Sequence, residues 1–167
     1  MNTRSIIVVL CMAASLAGCQ DEPVRPVAGD HPWHVSVDSA CLMMPNAITV
    51  NGDGLNDRFW PATYHVTTWR STVHDARLRP VFSSTDEQGW DGLLADGTPA
   101  PVGTYIATVE ATTTSGRVLQ LTAPLRVLRD PTTSCLPVGI TVVTPDMLDP
   151  RRCGELLATN EPLLNCP

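Results

Sequence analysis

Apolar residues recur at every second position through the middle of the chain. Across residues 117–128, Leu119, Leu121, Ala123, Leu125 and Val127 share one face. A period of two over that length predicts a strand with one buried side. Pro124 interrupts it and calls for a bulge or an edge position, where a missing N–H does no harm. Residues 104–111 alternate in the same way, with Tyr105, Ala107, Val109 and Ala111 together, and Thr114-Ser115-Gly116 supplies the turn between the two runs. Residues 69–73 place Trp69, Ser71 and Val73 on one face, and Val81-Phe82 forms a short partner. Residues 34–37 alternate weakly, and residues 46–50 form a brief strand that stops at Asn51-Gly52-Asp53-Gly54, a strong turn signal. Short strands punctuated by glycine and proline predict an all-β fold, an immunoglobulin-like antiparallel β-sandwich.

Composition agrees with this reading. Fifteen prolines exclude a long helical bundle. The 167 residues suit one domain of ordinary size rather than two. A net charge of −6 excludes a nucleic-acid binder that works through a basic face.

The N-terminus reads as an export signal. Residues 1–4 carry one positive charge, residues 5–16 are apolar, and Leu16-Ala17-Gly18-Cys19 follows. The apolar run is too short to span a membrane as a stable helix. The Leu-Ala-Gly-Cys sequence resembles the bacterial lipobox, which implies that residues 1–18 are removed and that Cys19 is lipidated. Several acyl chains on one residue anchor a protein firmly, and the membrane is then a partner through that anchor. An ordinary signal peptide is the alternative. Asp21 and Glu22 directly after Cys19 resemble the surface-export signal of Bacteroidetes lipoproteins, which implies an outer-membrane lipoprotein on the cell surface; a periplasm-facing one is the alternative. Residues 19–33 are rich in proline and poor in apolar residues, so they read as an extended tether.

Four further cysteines remain: Cys41, Cys135, Cys153 and Cys166. An even number in an exported chain predicts two disulfides, with three connectivities open. Cys41 opens the domain and Cys135 follows its last strand, so one bridge is expected to tie the tail back to the start. The spacings are not those of a zinc site. The Cys-containing extension, 130–167, is expected to pack on the sandwich of 34–129, held by disulfides. A loose, partner-binding tail is the alternative. Thr144-Pro145-Asp146 reads as a helix start, and residues 154–158 as one more turn.

Three motifs occur in order: residues 44–59 (MPNAITVNGDGLNDRF), Gly89-Trp90-Asp91-Gly92, and residues 95–105 (ADGTPAPVGTY). Together they resemble the gliding-motility-associated C-terminal domain, which is also a type B sorting domain of type IX secretion. The W-D-G and P-x-G-x-Y part is also similar to the immunoglobulin-like domain of flagellar hook caps. The resemblance implies a module for protein contacts in gliding, adhesion or secretion-related assembly, with envelope proteins as partners. It assigns structural roles to Gly52, Gly54, Trp90, Asp91, Gly92, Gly103 and Tyr105. Where that family carries Arg-Trp-Gly, this chain has Asp75-Ala76-Arg77-Leu78, so the turn there must be built differently. The family module normally ends its protein, whereas 38 residues follow Arg129 here.

Asn51, Asp53, Asn56 and Asp57 crowd one loop. Oxygens at that spacing suit Ca²⁺, although the EF-hand pattern is not met. The alternative is that these side chains satisfy turn amides while Gly52 and Gly54 take positive φ. Trp90 is expected to cover one end of the core and Asp91 to bond turn amides; an aromatic platform for sugars is the alternative. His31 and His34 offer half of a metal site, but no third ligand is near in sequence. His65 and His74 are isolated, and although His74 beside Asp75 suggests a base with an orienting carboxylate, adjacent strand residues point to opposite faces. No motif of nucleophile, base or phosphate loop occurs. The expected protein is therefore non-catalytic and cofactor-free. Calcium-dependent or glycan binding at the cell surface is the alternative.

Overall fold

The computed structural model describes residues 33–85, 87–129 and 141–161. The residues expected to form the signal and the tether, up to residue 32 and including Cys19, lie outside them, as do Cys135 and Cys166. Eight strands form two sheets. They are β1 (His34–Val37), β2 (Ala40–Met43), β3 (Ala47–Thr49), β4 (Ala62–Tyr64), β5 (Val66–His74), β6 (Pro80–Ser84), β7 (Gly103–Thr113) and β8 (Val118–Leu128). One sheet has the order β1-β2-β4 and the other β3-β8-β7-β5-β6.

The period-two runs became the large sheet. Tyr105, Ala107, Val109 and Ala111 of β7 are buried, as are Leu119, Leu121, Ala123, Leu125 and Val127 of β8 and Trp69, Ser71 and Val73 of β5. Their hairpin closes at Gly116, whose φ of +82° needs glycine. Pro124 sits opposite Ile106. On its other side β8 is covered by β3 only from Arg126 to Leu128, so Pro124 occupies an open edge.

Three expectations need correction. The sandwich is not wholly antiparallel, because β3 runs parallel to β8. β2 and β4 were not foreseen. Residues 40–43 are buried on both faces, so no alternation marks them. Residues 62–64 are a three-residue, half-exposed strand cut off by His65 at φ +51°. Finally, residues 154–158 do not form a helical turn. Single 3-10 turns occupy Pro145–Met147 and Pro150–Arg152, and Leu156 bridges back to Leu148.

The described part of the extension is built into the sandwich rather than loose. Val143 is fully buried, and its carbonyl accepts from the N–H groups of Asn46 and Ala47. The Asn46 side chain returns bonds to Val143 N and Thr141 O. A disulfide joins Cys41 of β2 to Cys153, which replaces the expected tie from Cys41 to Cys135 with one 112 residues long.

Candidate functional site

The loop after β3 is organised around Asp57. Its Oδ1 accepts from Asn51 N at 3.0 Å and Gly52 N at 2.8 Å, and its Oδ2 from Gly54 N at 2.7 Å. Asn51 Oδ1 accepts from Asp53 N, and Asp53 Oδ1 from Leu55 N. Gly52 and Gly54 take φ of +82° and +87°, which turns their N–H groups inward. Asn51 Nδ2 donates to Asp53 Oδ2 at 3.0 Å, so a donor faces the carboxylate where a cation would have to stand.

Asn56 does not join this loop. It is buried at φ +54° and reaches into the molecule. Its Oδ1 accepts from Asp146 N at 2.9 Å, and its Nδ2 donates to Glu161 Oε2 at 2.8 Å. Asn51, Asp53 and Asp57 are thus brought together for backbone satisfaction, and Asn56 is separated from them. As arranged here, the four residues do not form one oxygen shell. Among the described residues, no three His, Cys, Asp or Glu side chains gather around one point.

Asn56 leads to a buried polar cluster that sequence reasoning missed. Glu161 Oε2 also accepts from Thr49 Oγ1 at 2.7 Å, and Glu161 Oε1 is buried without a hydrogen-bond partner among the described residues. Beside it, Asp146 accepts from Thr144 Oγ1, Thr159 Oγ1 and Asn160 N. Burial pushes the Asp146 carboxyl up, but the bonds from Thr144, Asn160 and Thr159 outweigh it and hold it below the ordinary range. No sequence signal links residues 49, 56, 146 and 161, which are far apart in the chain.

The W-D-G and P-x-G-x-Y segments form one aromatic corner. Trp90 is 1% exposed, packed between Phe82 and Tyr105 with ring centroids at 6.4 and 5.3 Å. Its Nε1 donates to Leu93 O at 2.7 Å, and Asp91 Oδ1 accepts from Leu93 N. Gly92, at φ +74°, lies against Val50; a Cβ there would stand 2.6 Å from the valine side chain. Tyr105 donates its hydroxyl to Pro101 O at 2.9 Å. Burial, then the charge of Asp75, pushes its phenol above the ordinary range. Gly103 opens β7 opposite Val127. Trp90 is therefore a core residue, and the sugar platform is not there, because the ring has no free face. The exposed tryptophan is Trp60, at 46%, edge-on to Trp69 and close over Gly89.

The β5–β6 turn solves the missing Arg-Trp-Gly. Asp75 Oδ1 accepts from Arg77 N and Arg79 N, and Oδ2 pairs with the Arg79 guanidinium. The N–H of Arg79 and its guanidinium hold the Asp75 carboxyl below its ordinary range. Leu78 takes the left-handed conformation, φ +59°, that glycine would favour. Asp75 therefore turns to Arg79 and does not orient His74. His65 Nδ1 meets Ser39 Oγ at 2.8 Å, and its ring stacks on Tyr64. His34 lies tilted against Trp33, with ring centroids 4.6 Å apart, and His31 lies outside the described residues.

No family model matches the chain, and no curated protein matches it. Among solved structures, a crystal structure of CopC from Methylosinus trichosporium OB3b is similar. The match covers 59% of this chain and 95% of that one, at 12% identity and a TM-score of 0.36.

Proposed function

We propose that this protein is a non-catalytic cell-envelope protein, held at the membrane through Cys19, which presents its β-sandwich for contacts with other envelope proteins. The observation that carries this reading is the Cys41–Cys153 disulfide. It welds the extension to the first sheet, and such a bond persists in an oxidising compartment outside the cytosol. The lipobox-like segment and the order of the three sequence motifs support the anchoring and the gliding, adhesion or secretion context. These loop residues serve the fold: Asp57, Asp75, Asp91 and Tyr105 all bond backbone groups. Exposed edges of the sheets supply the contact surface by strand addition.

Two measurements test it. Cys19→Ser should move the protein from the membrane fraction to the soluble one. Cross-linking on intact cells followed by pull-down should recover a defined envelope partner. Unchanged fractionation overturns the anchor, and a chain that recovers no partner overturns the assembly role.

One observation favours glycan binding as a second reading. The half-exposed Trp60 lies against Trp69, which borders a shallow depression of about 220 Å³ with Thr68, Arg70, Glu110 and Thr112. One exposed aromatic ring near the paired Arg70 and Glu110 side chains suits sugars. A glycan array with wild type and Trp60→Ala decides it: loss of a specific signal in the variant supports the reading, and an empty array sinks it.

A further inference from the structure

Five large apolar side chains are exposed among the described residues, and the three aliphatic ones come from loops at one end of the sandwich. Leu78 is 71% exposed, Val102 55% and Leu93 38%. Register places them together. β5 ends at His74, opposite Ile106 near the start of β7, so the turn carrying Leu78 and the segment carrying Val102 lie at the same end. Leu93 pairs with Pro99 in the hairpin that leads into Val102. Leu78 stands between Arg77 and Arg79 and holds a backbone conformation that disfavours its side chain. An apolar residue left exposed in a turn, in a conformation glycine would adopt without strain, needs a reason beyond folding.

The described chain also enters at this end. Thr114 N of the β7–β8 turn bonds His65 O, which places the residue just after β4 at the opposite end. β2 is antiparallel to β4 and β1 to β2, so β1 starts on the side of Leu78. The stretch from Cys19 to Trp33 can span at most about 50 Å. A domain tethered so closely at that end meets a bilayer surface at high effective concentration, where weak insertion suffices.

We infer that the Leu78, Leu93 and Val102 rim docks the tethered domain onto the phospholipid surface. This inference rests on the anchored reading given above. Attraction is apolar rather than ionic: Arg79 is paired with Asp75, and the charge of Arg77 is outweighed by Asp91 and Asp96 at this end. Docking is therefore expected on zwitterionic lipid and to survive raised salt.

The test uses the lipidated full chain in phosphatidylcholine–phosphatidylethanolamine vesicles, read by hydrogen exchange against the Cys19→Ser chain in solution. Residues 75–80 and 93–103 should exchange about fivefold more slowly on vesicles, and the 114–116 turn at the far end should not change. Leu78→Asp with Val102→Asp should abolish that protection while the protein stays in the membrane fraction and keeps its melting temperature within a few degrees. Equal exchange on vesicles and in solution overturns the proposal, as does protection at both ends. Protection that needs an envelope extract and not lipid alone also overturns it, in favour of a protein partner. Failure of the anchor shows separately, as wild type in the soluble fraction. That outcome overturns the docking as well, because insertion this weak needs the tether.

Discussion

At the residue scale, short polar side chains decide how the turns close. Asp57 gathers three N–H groups, so truncating it removes three charge-assisted bonds that close the loop and leaves their donors to water. Asp57→Ala should lower stability by about 2–3 kcal/mol. The loss should be the same with added Ca²⁺ or with EDTA, read as melting temperature; a calcium-dependent melting temperature would show that the loop oxygens rearrange around an ion. Leu78 is the opposite case, since its side chain is exposed and its φ is positive. Leu78→Gly relieves a left-handed leucine at a cost of about 1–2 kcal/mol, offset by glycine's greater freedom in the unfolded chain. A net gain of about 0.5–1 kcal/mol is expected in a denaturant titration, and destabilisation would show that the leucine packs on the fold.

At the scale of elements, alternation made β5, β7 and β8 legible, because each buries one face and shows the other to solvent. β2 escaped notice for the reverse reason: residues buried on both faces carry no period. The extension was legible as a cysteine-bearing segment, but its pairing was not. Cys153 lies beyond Cys135 in sequence, and only the seating of Val143 beside β3 and of Pro150–Arg152 against the first sheet brings it to Cys41. The bridge closes a loop of 112 residues. Removing it with Cys41→Ser and Cys153→Ser should cost about 4–5 kcal/mol in the chain-entropy model. Limited proteolysis should then cut first within residues 141–161. Cleavage elsewhere would mean that the hydrogen bonds to Asn46 hold the extension unaided.

For the whole molecule, the cluster of Thr49, Asn56, Asp146 and Glu161 couples loop, sandwich and extension. Asp146 has a folded-state pKa below the ordinary aspartate value of 3.8. Its unfolded form therefore binds a proton first as pH falls. The stability it contributes is complete above that value and is lost as pH drops through the folded pKa. Wild type should lose melting temperature steeply below about pH 4, and Asp146→Asn should show a flatter profile there. Parallel profiles would place the acid sensitivity elsewhere.

Pattern and composition by themselves determined the all-β class, the long strands with their buried faces, the glycine-dependent turns and the structural parts of Trp90, Asp91 and Tyr105. These are local matters: a period of two, a φ that only glycine holds cheaply, a side chain bonding its own turn. Tertiary structure alone decided the parallel pairing of β3, the union of Cys41 with Cys153, the turning of Asn56 away from its loop towards Glu161, and the gathering of Leu78, Leu93 and Val102 at one end. Each of these joins residues distant in the chain, and such contacts follow from how two sheets and an extension share one core rather than from any short stretch of sequence.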